Sequence, residues 1–160
     1  MTKDILFCLS GLDAAQFIER AAPHIPLDRR LVLLYVVDTR PAEELGYISR
    51  RMHGGGGVSS QHAALMETAE QQTAEAVLNE AGEKCMQLGF NPQHIRREIR
   101  KGRPEQQIVA LAHDPAQDIG LVVIGSSYKR APNITPGPAS VGHVARFVVD
   151  HSSCDVLLLR

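Results

Sequence analysis

An excess of either charge is missing from this chain. Lys and Arg number 17 against 18 Asp and Glu, a net charge of −1. Such balance gives no basis for nucleic acid or an anionic membrane surface as a partner. Also missing is any apolar run near the ~20 residues that span a bilayer. The opening Met1-Thr-Lys-Asp, followed by Ile5 to Ser10, is too short for a signal peptide and has no cleavage site. Cysteine is scarce. Cys8, Cys85 and Cys154 are odd in number, far apart and set in apolar patterns, which predicts buried reduced thiols and a cytoplasmic address.

Catalytic signatures are absent too. Ser10, Ser126 and Ser140 have no His/Asp constellation, and there is no Gly-x-Ser-x-Gly elbow. Gly11 after the first apolar run lacks a dinucleotide fingerprint, and no paired carboxylates stand near it. No catalytic residue is assigned. His53 and His62 have no Cys or carboxylate at ligand spacing, so no protein-bound metal is expected.

What is present is 160 residues with 44% apolar content, enough for one globular domain over residues 1–160 with a sizeable core. Ile5 to Leu9 reads as a first strand. Asp13 follows as the expected N-cap of a helix that turns Ala14, Phe17, Ile18 and Ala21 inward. Leu31 to Val37 is apolar on both faces and therefore central. Four glycines, Gly54 to Gly57, predict a mobile loop. The longest helix then runs from Ser59 or Ser60 to about Leu88. Met66, Ala69, Thr73, Val77, Ala81, Cys85 and Leu88 form its expected buried stripe.

His94 to Lys101 alternates as a half-exposed edge strand. Pro104 opens a helix with Ile108, Leu111 and Ala112 inward. Leu121 to Ile124 is a buried strand, and a last helix with Val144, Phe147 and Val148 inward leads to the strand Val156 to Leu159. Strands alternating with helices imply an α/β fold: an open parallel sheet of five strands with helices on both faces. Ligands of such sheets bind beyond the carboxyl ends of the strands.

Ile5-Leu-Phe-Cys-Leu-Ser-Gly11, Leu33-Leu-Tyr-Val-Val-Asp38, Gly102-Arg-Pro104, Leu121-Val-Val-Ile-Gly-Ser126 and the closing Cys154-Asp-Val-Leu-Leu occur in an order that resembles the universal stress protein family. The resemblance covers nearly the whole chain. It implies the strand order 3-2-1-4-5, an adenine-nucleotide α-hydrolase-like fold, and a cytosolic stress-response role through binding and dimerisation. Its ATP-binding members carry Gly-x2-Gly-x9-Gly-Ser/Thr after strand four, where loop amides and a helix N-terminus meet phosphates. Gly125 and Ser126 match the start of that loop, but Tyr128 stands at the second glycine. Gly142 takes the third, His143 the hydroxyl position and Val144 the place after it. An alternative alignment takes Ala139-Ser140-Val141 instead and leaves the helix too long.

By the same resemblance, Ser10 replaces a nucleotide-contacting Asp, while Val36 keeps the valine that lines the adenine pocket. The implied cofactor is ATP or AMP, with no metal other than nucleotide-bound Mg²⁺. Two readings stay open at this stage: a weakened nucleotide site, aided by Lys129 and Arg130, or one that has been lost. Lost charge-assisted contacts cost roughly 1.5–3 kcal/mol each, about ten- to hundredfold in affinity. The alternative to a binding protein is a small enzyme or electron-transfer subunit of a related fold. The apolar edge Asp155 to Leu159 is expected to pair with its copy in a homodimer.

Overall fold

Alternating side chains sort each central strand between two cores. In the computed structural model, β1 (Asp4–Leu9) is buried along its whole length. Ile5, Phe7 and Leu9 enter one core, Leu6 and Cys8 the other. The structure describes every residue except 1, 12, 42, 45–46, 48–50, 52–57 and 129–139, and only the backbone of 58–60 and 63. The expected mobile loop Gly54 to Gly57, and Lys129 and Arg130, lie outside the described residues.

The first core is covered by α1 (Ala14–Ala21) and α2 (Val58–Gln87). The second is covered by α3 (Pro104–His113) and α4 (His143–His151). The remaining strands are β2 (Leu31–Asp38), β3 (Ile95–Gly102), β4 (Ile119–Gly125) and β5 (Asp155–Leu159). All neighbours are parallel in the order β3-β2-β1-β4-β5, as expected from the sequence. Ile5 of β1 faces Leu31 of β2 on one side and Leu121 of β4 on the other. The chain winds outward from β1 in one direction and then in the other. The crevice between the ends of β1 and β4 is therefore the topological switch point.

Three local expectations are corrected. Asp13 does precede α1, but its backbone is left-handed (φ 48°) and its side chain makes no cap bond. A capping side chain needs the extended backbone that carries it to the first amides. In α4, Ala145 is buried with Val144 and Val148, while Phe147 is half-buried and stacks on His151 at 4.0 Å. In α2, the stripe holds from Val77 to Leu88, joined by Ala74 and Leu78, whereas Met66, Ala69 and Thr73 are exposed.

Length explains the last difference. A 30-residue helix runs about 45 Å, whereas the 8 residues of β2 span about 26 Å. The first half of α2 therefore overhangs the carboxyl edge of the sheet. Its last ties to that edge are Tyr35 Oη donating to Glu70 Oε2 at 3.2 Å and the Lys101–Glu67 ion pair. Leu65, farther out, is 67% exposed.

Leu78→Ala should accordingly lower stability by about 2–5 kcal/mol, and Leu65→Ala by less than about 0.5 kcal/mol. Urea unfolding of the two variants checks the pair. Equal losses would mean that the overhanging half is packed.

Candidate functional site

At the end of β4 the chain turns sharply, Tyr128 N–H donating to Gly125 O at 3.2 Å. The Ser126 amide donates to Leu159 O of β5, and the Gly142 amide donates to Ser126 O, both at 2.7 Å. Gly142 is the N-cap of α4, which begins at His143. A Cβ on Gly142 would stand 3.1 Å from Ser126 O and 3.8 Å from Tyr128 O. A larger residue at 142 would push the start of α4 a few tenths of an ångström away from the β4 turn. Ser126, Gly142, His143 and Val144 are thus brought to one corner, with Val144 buried and His143 largely exposed.

The other three sequence-derived positions fall differently. Ser10 and Gly125 line a cavity of about 220 Å³ on the α1 side of the switch point, together with Ser127 and Tyr128. Val36 is fully buried and belongs to the packed cluster under α3 and α4. Tyr128 belongs to that cluster too, along with Cys8 and Val144. Tyr128 and Val36 therefore belong to one packed core.

Tyr128 is 5% exposed, and its hydroxyl is buried with no hydrogen-bond partner among the described residues. Burial above all, then the proximity of Cys8, Tyr35, Asp38 and Glu70, holds this phenol well above its usual range. Tyr35 is pushed up to about 12 by burial and by Glu70. The crest over the ends of β1 and β2 is consequently a poor place for further negative charge.

A second group closes the corner near the start of α4. Arg40 grips Asp38 through two bonds of 3.0 and 2.7 Å and reaches Glu105 Oε1 at 3.6 Å. Glu105 sits in the first turn of α3, where the helix dipole favours a carboxylate. It is 5% exposed, Oε2 has no partner among the described residues, and Oε1 lies 3.9 Å from His143 Nε2. Arg40 is thus shared between two carboxylates, Asp38 and Glu105. The sequence signal for Glu105 was present as an acid after Gly102-Arg-Pro104, but its approach to His143 depends on how α3 and α4 pack.

The remaining described histidines lie away from the corner. His151 caps its own helix, Nδ1 donating to Phe147 O at 2.8 Å, and His113 Nε2 donates to His151 O at 2.8 Å. His62 is exposed on α2, and His53 lies outside the described residues. No cluster of three or more His, Cys, Asp or Glu suited to a metal ion occurs among the described residues. No described helix is long and apolar enough to cross a membrane.

An open five-stranded parallel sheet with a loop-and-helix corner at its switch point defines a class of small α/β ligand-binding domains. The chain belongs to the universal stress protein family, whose pattern matches residues 1–160. Among solved structures, it resembles the universal stress protein UspA from Lactobacillus plantarum. That match has 24% identity and a TM-score of 0.74, covering 99% of this chain and 97% of the other. Hypothetical protein MJ0577 shares the fold at 19% identity and TM-score 0.72, over 99% and 96%. A universal stress protein in complex with cAMP does so at 18% identity and TM-score 0.58, over 100% and 98%. No curated relative matches the sequence.

The unpartnered Tyr128 hydroxyl has a measurable consequence. An unsatisfied buried hydroxyl costs roughly 1–3 kcal/mol, so Tyr128→Phe should raise stability by about 1–2 kcal/mol at neutral pH. Above about pH 10 the unfolded phenol loses its proton while the folded one keeps it, so wild-type stability falls as pH rises. The advantage of Tyr128→Phe should therefore widen from pH 7 to pH 10.5 in urea unfolding. A variant less stable than wild type at both values would reveal a partner for the hydroxyl.

Proposed function

We propose that this universal stress protein works in the cytoplasm as a dimeric binding protein, not as a catalyst, and holds ATP or AMP weakly at the corner. Mg²⁺ enters only with the nucleotide. The observation carrying this reading is the 2.7 Å bond from the Gly142 amide to Ser126 O, which sets the N-terminus of α4 against the β4 turn. A helix N-terminus offers its first-turn amides to an anion, and here it stands beside a turn whose Ser126, Tyr128 and Gly142 amides already donate to carbonyls. Ser126, Gly142, His143 and Val144 would meet the phosphates, with Gly125, Ser10 and Val36 towards the adenosine. A family member of like fold is described in complex with cAMP, which supports a nucleotide as the ligand class.

Three features make the affinity low. Ser10 offers no charge where the family has Asp, Tyr128 occupies the packing beside Val36, and Arg40 near the phosphate end is shared between Asp38 and Glu105. Calorimetry with ATP and AMP in the presence of Mg²⁺ should give a Kd above about 0.1 mM. Ser10→Asp and Tyr128→Gly should each tighten binding about tenfold or more. Absence of heat for wild type and both variants at ~10 mM nucleotide, about the weakest affinity worth −2.7 kcal/mol, would remove nucleotide from the function.

Dimerisation rests on the edge. β5 pairs with β4 on one side and has no strand on the other among the described residues. Val156, Leu157 and Leu158 are only half-buried, an apolar edge that invites a second copy. β3, the opposite edge, carries Arg96, Arg97, Glu98, Arg100 and Lys101 and is protected by charge. Twofold antiparallel pairing of β5 satisfies both copies at once. Sedimentation at low micromolar concentration should give a dimer for wild type and a monomer for Leu158→Lys, with circular dichroism unchanged. A wild-type monomer, or a dimer indifferent to the substitution, would show that β5 is not the interface.

A further inference from the structure

The cavity of about 220 Å³ beside α1 adjoins the nucleotide corner and shares Ser10 and Gly125 with it. Gly142, His143, Val144 and Val36 do not line it. Its floor is apolar and rigid. Phe17 meets Phe7 edge to face at 6.2 Å, and a Cβ on Gly125 would lie only 3.7 Å from the Phe17 ring. Leu159 closes the β5 side. The Phe17 ring thus lies in van der Waals reach of the end of β4.

The rim is polar and uncommitted. Gln16, Arg20, Ser127 and Arg160 line the cavity, and none of their side chains makes a hydrogen bond or ion pair with a described residue. Several other basic residues are engaged: Arg30 with Asp4, Arg40 with Asp38, Lys84 with Glu19, Lys101 with Glu67. Two guanidiniums share this rim with one carboxylate, Asp13. Free guanidiniums above an apolar floor are suited to an organic anion, since the fork of N–H donors matches a carboxylate or phosphate.

Size limits the rest of the ligand. A cavity of about 150 Å³ takes benzene, so this one takes a single ring or short chain with one anionic group and little more. A whole nucleotide belongs to the larger pockets of ~300 Å³ and above. We infer that the cavity between α1 and the end of β5 is a second binding site, for a small organic anion held by Arg20 over the Phe17 ring. The inference does not depend on nucleotide binding at the neighbouring corner.

Nuclear magnetic resonance titration of the full chain tests it, with benzoate as the probe. Benzamide is the neutral isostere, and inorganic phosphate is the anion without an apolar body. Benzoate should shift the amides of Gln16, Phe17, Arg20 and Leu159 with one millimolar Kd, and the other two should bind at least tenfold more weakly. Arg20→Gln, at an exposed position, should weaken benzoate at least fivefold and leave ATP affinity and the ATP-induced shifts of Gly142 and His143 unchanged. Benzamide or phosphate binding as tightly as benzoate, indifference to Arg20→Gln, or benzoate shifts centred on Gly142 and His143 would each overturn the site. Failure of ATP to bind while benzoate behaves as expected would overturn the nucleotide reading alone.

Discussion

The parallel pairing of β1 with β4 is the contact on which the rest of this protein depends. It joins the two halves of the winding, and every apolar residue of β1 is buried. Because β1 is enclosed on both faces and both edges, its carboxyl end opens only upward, into the crevice between Ser10 and Gly125. Everything with ligand-like chemistry gathers there: the β4 turn, the start of α4, the face of α1 and the overhang of α2. A slip of one residue in this register would exchange the two cores, since Ile5, Phe7 and Leu9 would trade faces with Leu6 and Cys8.

Above that crevice the protein has exchanged openness for packing. A glycine at position 128 would leave a gap beside Val36, whereas the tyrosine buries a large ring there and leaves a hydroxyl unpaired. Ring burial contributes about 1.5–3 kcal/mol, similar to the penalty of roughly 1–3 kcal/mol for the hydroxyl. The exchange is nearly neutral for stability and consequential for binding. Glu105 follows the same logic. The α3 dipole and Arg40 support its buried carboxylate, and its cost falls on any anion approaching His143. The corner sets the N-terminus of α4 against the β4 turn, with Asp38, Arg40 and Glu105 beside it.

The two sides of the switch point therefore differ in kind. Towards α3 and α4 the space is filled by Tyr128, Val36 and Val144, and the nearby charges are already paired. Towards α1 there is room, an aromatic floor and unpaired guanidiniums. That asymmetry arises from α1 leaving the β4–β5 face partly bare, which leaves Leu157 half-buried at the same edge. The cavity and the association-prone edge share one origin, the absence of a described helix over β5 on that face.

The sequence by itself determined the element order, the parallel sheet and most of both cores. Apolar runs buried on two faces, as in Leu31 to Val37, carry their meaning locally, and the 3.6-residue period does the same for Val77 to Leu88. The motif order also pointed to the family. Other features were decided only by tertiary structure. How far α2 overhangs depends on its length relative to the sheet, so Met66 and Thr73 keep an inward spacing with nothing to face. Whether Tyr128 blocks a loop or fills a core depends on the space beside Val36, which β1, β2 and α4 define together. Arg20 is an ordinary helix-end arginine, and Glu105 an ordinary first-turn acid, until α1 is laid beside β5 and α3 beside α4. Periodicity and turn chemistry are properties of neighbouring residues, whereas cavities and charge clusters depend on distances between segments far apart in the chain.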